Sequence, residues 1–308
     1  MTAPTDGPAA EDSAAAPTRR APMALVTWAF VVLVLLIVIV LLVVKITRAS
    51  TSTPPPTAVT TAPAEVVHAA VTVPEPAFDT VGAPAPTGPV PTVLSGQPPL
   101  TVHGRPAVVY VGAEFCPYCA AERWALVVAL GRFGTFTDLG ATTSSQFQAF
   151  PELPSFSFVG AGYRSRYVSL SATEEYGENL DTTAPAGFPP LTPAPALARF
   201  LMDRYGSDPA AAAGAGGGTG TGATLPFIDI GNRLIIEGAG IGFSPGTIQG
   251  LSMAEVATDL SDPTNPVAGA ILGAANEISA AVCATTGGKP GPVCRSPGVR
   301  AGALRLGL

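Results

Sequence analysis

The stretch that most constrains this chain runs from Pro106 to Phe133 and places two cysteines at the start of a helix. It opens with a continuous apolar run, Ala107 to Val111, which predicts a buried strand. Cys116-Pro117-Tyr118-Cys119 follows, and apolar residues then recur at three- and four-residue spacing from Trp124 to Gly131, as in a helix. A proline at the second position of this motif suits the first turn of a helix, where its missing N–H costs nothing.

The position of these cysteines has a chemical reason. Unpaired N–H groups and the positive end of the helix dipole stabilise an anion at a helix N-terminus. The pKa of a thiol there falls from about 8.5 to roughly 3.5–7. We expect Cys116 to be the exposed nucleophile and Cys119, one turn deeper, to be the resolving thiol.

The alternatives for this pair are a structural zinc site and an inert disulfide. Zinc needs four ligands, whereas Cys283 and Cys294 lie far along the chain and neither of the two histidines is near. We therefore expect no metal site, and no cofactor beyond the redox-active pair Cys116–Cys119.

An apolar segment near the N-terminus is long enough to cross a membrane. Residues 23–44 would reach roughly the 30 Å of a bilayer core. The apolar part of a signal peptide is shorter, which favours a retained anchor. Arg19 and Arg20 precede the span while Lys45 and Arg48 follow it, so the positive-inside count is tied. The cysteine chemistry downstream favours a cytoplasmic N-terminus and an extracellular C-terminal domain.

Proline and small residues dominate the segments on either side of this span. Residues 1–22 are predicted to be a disordered tail, and residues 45–99 a Pro/Thr-rich linker. Within the linker, Val66 to Phe78 is more apolar, which favours docking on the domain. The domain is expected over residues 100–300. The net charge is −6 and the sequence contains no stripe of basic residues, which argues against nucleic acid as a partner.

The region after the first helix shows weaker patterns. Asp138 to Ser145 predicts a strand and a turn, and the aromatic alternation from Phe150 to Leu170 predicts a β-hairpin. Its aromatic side chains are expected in the core. Ala194 to Tyr205 has apolar residues at helical spacing, and Asp208 to Ala223 is an Ala/Gly-rich loop.

A second informative segment begins at Thr224-Leu225-Pro226. The residues from Phe227 to Gly238 contain two apolar runs around a Gly-Asn pair, which predicts a hairpin. A proline at the first position of a strand is tolerated because the ladder has not begun. An X-Pro bond can also be cis at modest cost.

The C-terminal part is predicted to be helical. Ser252 and Glu255 fit a capping box, and Asp262-Pro263 is expected to open a longer helix with one apolar face. A disulfide between Cys283 and Cys294 would close a short loop and contribute about 3 kcal/mol. We interpret this pair as a structural disulfide, although free thiols in a reducing compartment would give the same sequence.

The strand, the CxxC motif and the distant Leu-Pro before a hairpin together resemble the thioredoxin fold. Ala113 to Cys116 resembles the residues before the first active cysteine of thioredoxins, and Cys116-Pro117-Tyr118-Cys119 matches the active site of glutaredoxins. Thr224-Leu225-Pro226 resembles the cis-proline loop of this superfamily. The resemblance implies that the backbone of Leu225 pairs with a substrate polypeptide, and that Pro226 keeps metals away from Cys116.

The soluble part is similar to a narrower family, the domain of unknown function 929, found in membrane-anchored actinobacterial proteins and in archaea. EFCPYCAAERWALVVALGRFG, LPFIDIGNR and the last two cysteines carry this resemblance, which covers Val93 to Cys294. Two departures from thioredoxins stand out. Tyr110 occupies the position of their buried carboxylate, six residues before the first cysteine. Residues 134–223 are also longer than the corresponding segment, as expected for an inserted lid or cap.

The expected fold class is therefore α/β, thioredoxin-like with a long insertion, preceded by one transmembrane helix and a Pro-rich linker. The expected site comprises the catalytic Cys116 and Cys119, the substrate-binding Thr224, Leu225 and Pro226, and the neighbouring Glu114, Phe115, Pro117 and Tyr118.

These features imply a membrane-anchored, single-pass thiol–disulfide oxidoreductase. It would act on protein thiols or disulfides outside the cell membrane, with a membrane-bound electron donor or acceptor as a further partner. The alternative is a non-enzymatic thioredoxin-like scaffold of the cell envelope in which Cys116 and Cys119 form a structural disulfide. The direction of the redox reaction does not follow from the sequence.

Overall fold

The structure, a computed structural model, describes residues 28, 31–40, 60–83, 86–184, 186–206, 223–240 and 242–308. The chain divides into two units, Met1–Pro54 and Pro55–Leu308. The second unit combines helices with sheets, which confirms the expected α/β class in its general form.

The predicted membrane span, residues 23–44, lies partly outside the described residues. Trp28 and Val31–Val40 (α1) are helical, and their apolar side chains are exposed. Within the described residues, the helix that is long and apolar enough to cross a membrane is Pro266–Thr285, with a mean hydropathy of 1.5. That helix lies near the C-terminus and is largely buried, so it is not the span that the sequence predicts.

The strands of the second unit are short except at its centre. They are β1 (Thr60–Thr61), β2 (Thr92–Val93), β3 (Thr101–Val102), β4 (Arg105–Gly112), β5 (Thr135–Thr137), β6 (Gly140–Thr143), β7 (Pro154–Ser157), β8 (Gly162–Arg164), β9 (Ser169–Glu174), β10 (Phe227–Ile230) and β11 (Leu234–Glu237).

The helices lie mainly in the second half of this unit. They are α2 (Ala64–Val71), α3 (Glu75–Val81), α4 (Pro117–Gly131), α5 (Ala196–Tyr205), α6 (Met253–Asp259), α7 (Pro266–Thr285), α8 (Gly291–Cys294) and α9 (Pro297–Leu306).

The main sheet is built around β4. Its neighbour β10 runs antiparallel to it with Ile228 opposite Tyr110, and β9 runs parallel to it with Ala172 opposite the same tyrosine. The β10–β11 hairpin turns at Gly231-Asn232, as predicted, and β2 extends the sheet beyond β11. The β3–β4 hairpin lies at the start of β4.

Alternate residues of β4 enter different parts of the core, because successive side chains of a strand point to opposite faces. Val108 and Tyr110 pack in a cluster with α4 and α7. Ala107, Val109 and Val111 pack in a second cluster with α5 and with both cysteines of the CxxC motif. The continuous apolar run therefore predicts this strand correctly, since both of its faces are covered.

The aromatic segment after α4 does not form the predicted hairpin. β7 pairs with β6 and β8 pairs with β5, so the two strands of this segment have separate partners. The expectation that its aromatic residues lie in the core holds for Phe156 and Phe158, which are 0% and 5% exposed.

Residues 134–223 contribute to the main sheet and are not only an insertion. β9 supplies the one parallel neighbour that β4 has among the described strands. Such pairing needs a crossover connection, and part of the length of this region serves that purpose. The loop after β9 and α5 then cover the second face of the sheet.

The segment predicted as a linker, residues 45–99, contains buried structure. α2 and α3 pack against α4 and α7, and Val66, Ala70 and Phe78 are nearly inaccessible. The apolar character of Val66 to Phe78 is the sequence signal for this docking. The description as a linker is therefore wrong for residues 64–81.

The C-terminal predictions hold with one shift. Ser252 and Glu255 form the capping box of α6. The long helix α7 begins at Pro266 with Asn265 as its cap, because Asp262 instead accepts hydrogen bonds from Thr264. Cys283 and Cys294 are joined in a disulfide.

Replacement of Phe78 tests whether α3 belongs to the core. Its side chain is 1% exposed and lies 4.1 Å from the Arg132 guanidinium. We expect Phe78→Ala to lower the free energy of unfolding by about 3–5 kcal/mol, since it removes a buried aromatic ring. Chemical denaturation of the full-length protein measures this, with Phe200→Ala as control. Phe200 is 60% exposed, so its loss should cost less than about 0.5 kcal/mol. Equal effects would place α3 outside the core.

Candidate functional site

The CxxC motif lies where β4 ends and α4 begins. Cys116 is the N-cap of α4, with an extended backbone conformation, and Pro117 is the first residue of the helix. The Cys116 Sγ accepts a hydrogen bond from the backbone N–H of Cys119 at 3.2 Å. A thiol in this position takes the role that a serine or aspartate side chain has in an ordinary N-cap, so a negative charge on it is stabilised.

The two thiols have opposite pKa shifts. Burial alone would raise the pKa of Cys116, but the hydrogen bonds from the Cys119 side chain and backbone, with the charge of Arg123, lower it overall. Burial raises the pKa of Cys119 well above its ordinary value, and the neighbouring Cys116 adds to that shift. Cys116 is therefore the thiol of the pair that ionises first.

Cys116 is less accessible than the sequence predicts. It is only 4% exposed and Cys119 is 0% exposed. The Phe115 ring stacks on Phe188, with centroids 3.9 Å apart, and lies 6.2 Å from Tyr176. Both aromatic partners belong to the loop after β9. The expectation of an exposed nucleophile is wrong because this loop covers the motif.

The Thr224-Leu225-Pro226 segment meets the first cysteine. The Leu225–Pro226 peptide bond is cis, and the Cys116 thiol donates a weak hydrogen bond to the Leu225 carbonyl at 3.6 Å. The Thr224 N–H donates to the Glu237 carboxylate at 2.7 Å, which fastens this segment to the end of β11. The sequence separates Cys116 and Leu225 by 109 residues, and the structure brings them together.

The remaining predicted neighbours have different surroundings. Tyr118 is partly buried and makes an edge-on contact with Phe150 at 6.2 Å. Glu114 is completely buried, and its carboxylate accepts a hydrogen bond from the Ser157 hydroxyl at 2.6 Å. The backbone of Glu114 and Phe115 is fixed by hydrogen bonds to the loops that follow β9 and β6.

A buried charged cluster behind Cys119 was missed by the sequence analysis. Its centre is Arg123, four residues after Cys119 and therefore on the same side of α4. The guanidinium lies 3.0 Å from the Glu174 carboxylate, 3.3 Å from the Tyr110 hydroxyl and 3.7 Å from the Glu114 carboxylate. Its Nε donates to the Ser155 hydroxyl at 3.0 Å.

This cluster has two carboxylates for one guanidinium, and none of the three side chains is more than 1% exposed. Burial raises the pKa of Glu174 to about 8. The positive charge of Arg123 acts in the opposite direction and lowers this pKa, whereas the negative charge of Glu114 adds to the increase. Glu174 thus supplies a buried carboxyl group beside Tyr110, whose hydroxyl lies 3.5 Å from it. The signal in the sequence was the charged pair Glu122-Arg123 within an otherwise largely apolar helix.

No group of three or more His, Cys, Asp and Glu side chains is arranged to hold a metal ion among the residues that the structure describes. The arrangement described above supports chemistry at sulfur. It combines a stabilised thiolate, a second thiol within reach of it and a buried group that can hold a proton.

Glu174→Gln tests the charged cluster. A carboxyl group with a raised pKa in the folded state favours folding below pH 4.5, and this contribution is lost between pH 4.5 and about 8. Glutamine resembles the neutral form, so the variant should lose this pH dependence. We expect its unfolding free energy to fall less over this window, by up to about 1.4 kcal/mol per pH unit. Urea titrations across the window measure this, with the exposed Glu65→Gln as control. Parallel curves for wild type and Glu174→Gln would contradict the assignment.

Comparison with known proteins gives one family. Residues 93–284, more than half of the chain, match the family described as Domain of unknown function (DUF929). No curated protein and no solved structure matches this chain. The match spans both the CxxC motif and the Leu225-Pro226 loop. The chain therefore belongs to the DUF929 family.

Proposed function

We propose that this protein is a thiol–disulfide oxidoreductase that acts on protein substrates through Cys116 and Cys119. The observation that carries the proposal is the position of the Cys116 sulfur. It caps α4, accepts the N–H of Cys119 and faces the Leu225 carbonyl. A lowered thiol pKa beside a second thiol is the arrangement that thiol–disulfide exchange requires.

A thioredoxin-like fold is part of the same proposal. It is supported by the strand order β9-β4-β10-β11, in which only β9 and β4 are parallel. The helix that follows β4 carries the CxxC motif, and the Leu225-Pro226 segment leads directly into β10. In the thioredoxin fold these two segments lie at the same end of the central strands, as they do here.

The reaction consists of two exchanges. The Cys116 thiolate attacks one sulfur of a substrate disulfide, forms a mixed disulfide and releases the other sulfur as a thiolate, which takes a proton from solvent. The Cys119 sulfur then attacks Cys116, and its proton goes to the second departing substrate sulfur. The substrate disulfide gains two electrons, and the Cys116–Cys119 pair loses two and becomes a disulfide. The reverse sequence oxidises a substrate dithiol.

Arg123 and Glu174 assist by charge. The guanidinium lowers the pKa of both thiols, whereas the Glu174 carboxylate raises that of Cys119. Burial raises the pKa of Glu174 to about 8, and protonation of this carboxylate removes the negative charge that opposes the thiolate form of Cys119.

The membrane anchor and the location are also proposed. The apolar segment 23–44 would hold the N-terminus in the cytoplasm and the domain outside, where protein disulfides form. The Cys283–Cys294 disulfide supports an oxidising compartment. A membrane-bound electron donor or acceptor would then restore the Cys116–Cys119 pair after each cycle.

Substitution of each cysteine tests the reaction. With a peptide cyclised by one disulfide as substrate, Cys116→Ser should reduce the exchange rate to that of the uncatalysed reaction. Cys119→Ser should retain the first exchange and accumulate a mixed disulfide with the peptide, since the resolving thiol is gone. Mass spectrometry after acid quenching detects that adduct. A Cys116→Ser protein that keeps the wild-type rate with an unchanged free energy of unfolding would refute the proposal.

A second candidate function is a scaffold in which the CxxC pair is a structural disulfide. The burial of both thiols favours it, because a protein substrate cannot reach a sulfur that is 4% exposed without movement of the covering loop. Mild dithiothreitol discriminates between the two. An enzyme should have Cys116–Cys119 reduced before Cys283–Cys294, and a scaffold should resist reduction at both.

A further inference from the structure

The loop that covers the CxxC motif is held together by its own backbone. The Gly177 N–H donates to the Pro189 carbonyl at 2.9 Å, and the Asp181 N–H donates to the Gly187 carbonyl at the same distance. These hydrogen bonds join the two arms of the loop, residues 176–184 and 186–190, to each other. Because the bonds lie within the loop, the arms can move away from the cysteines together without leaving these backbone groups unpaired.

The base of this loop is fixed to the main sheet by Glu175. Its N–H donates to the Gly112 carbonyl at the end of β4, and its carbonyl accepts the Leu191 N–H, both at 2.8 Å. Its carboxylate accepts the N–H of Ala194 at 3.0 Å. The two ends of the loop are therefore anchored beside β4, and a movement of the arms would turn about this base.

Aromatic rings hold the arms on the motif. The Phe188 ring stacks on Phe115 with an interplanar angle of 11°, whereas the Tyr176 ring is tilted by 52° and lies farther away. Phe188 is 5% exposed and belongs to the same buried cluster as Phe115 and Cys116. A backbone hydrogen bond from the Glu114 N–H to the Tyr176 carbonyl adds to these ring contacts.

These contacts favour a closed loop that opens locally. Separation of Phe188 from Phe115 exposes the apolar surface of both rings to water, so the closed position is the stable one. A stacked ring pair contributes only modestly, however, so an open position remains accessible as a minor population. A segment held by few contacts opens without unfolding of the rest of the chain.

We propose that this loop is a lid and that Phe188 is the residue that holds it closed over Cys116. The inference rests on the proposed thiol–disulfide exchange and adds to it a conformational step that precedes the chemistry. The closed lid excludes water and other thiols from Cys116. The open lid presents Cys116 beside the Leu225 carbonyl, and the rate of exchange is set by the fraction of molecules in which the lid is open.

Alkylation of Cys116 measures the open fraction. Reduced full-length protein is treated with iodoacetamide, and mass spectrometry of its peptides follows Cys116 and Cys119 separately. We expect Phe188→Ala to raise the alkylation rate of Cys116 about two- to tenfold, because loss of a stacked ring pair favours the open position by that factor. The factor should be constant across the titration of the thiol, since the lid changes access to it. Equal rates for variant and wild type, or an increase confined to low pH, would overturn the assignment.

Phe243→Ala is the matched control for a loss of core packing. Phe243 is 6% exposed, so it is buried as deeply as Phe188, but it lies in the cluster that does not contain the CxxC cysteines. Its replacement should leave the alkylation rate of Cys116 unchanged. An increase equal to that of Phe188→Ala would show that any loss of core packing exposes the thiol, and the lid would be refuted.

The wild-type protein provides a second test, which also decides the question if Phe188→Ala does not fold. Local opening of a lid exposes little surface, so the alkylation rate of Cys116 should depend only weakly on urea well below the unfolding transition. A rate that instead rises in proportion to the globally unfolded fraction at every urea concentration would mean that no lid opens.

Exchange with a peptide cyclised by one disulfide separates this inference from the proposed function. If both hold, Phe188→Ala should raise the rate of the first exchange by the same factor as the rate of alkylation. If the peptide reacts but neither rate responds to Phe188→Ala, thiol–disulfide exchange stands and the lid is wrong. If alkylation responds but no disulfide reacts with any form of the protein, the lid stands and the proposed function fails.

Discussion

Much of this structure depends on the burial of the charged Arg123 guanidinium, which is removed from water. A buried guanidinium is tolerated only where carboxylates and hydroxyl groups surround it. Here those groups come from four parts of the chain: Tyr110 on β4, Glu114 after it, Ser155 on β7 and Glu174 on β9. The interaction therefore fixes α4 against the sheet and against the β6–β7 pair. It also fixes the first turn of α4, where the reactive thiol lies.

The division of the core by β4 explains how one site can be both dry and reactive. One face of the strand supports α4 and α7 through large apolar side chains, which makes the helix N-terminus rigid. The other face forms the cluster that includes Cys116, Cys119 and Phe188. The thiols therefore lie in a low-dielectric environment, where the hydrogen bond from the Cys119 N–H and the charge of Arg123 act more strongly than they would in water.

Local patterns predicted the parts of this fold that depend on neighbours in sequence. The apolar run of β4, the start of α4 at Pro117, the Gly231-Asn232 turn and the Ser252 capping box all have signatures of a few residues. β9 was not predicted, since its stability comes from a partner strand far along the chain. The charged cluster around Arg123 was not predicted for the same reason. An arginine and two glutamates separated by up to 60 residues, as Glu114 and Glu174 are, give no periodic signal.

The contacts of Asn276 on α7 show that the folded unit extends beyond the residues of the family match. Its amide donates to the carbonyls of Phe78 and Gly82, and the backbone of α9 approaches it so closely that Gly298 leaves no room for a Cβ atom. These contacts lie on either side of the family match over residues 93–284. The matched region thus lacks the two segments that cover the middle of its own longest helix. A fragment cut at the limits of the match would therefore expose the middle of α7 to water, because the residues that cover it lie outside residues 93–284.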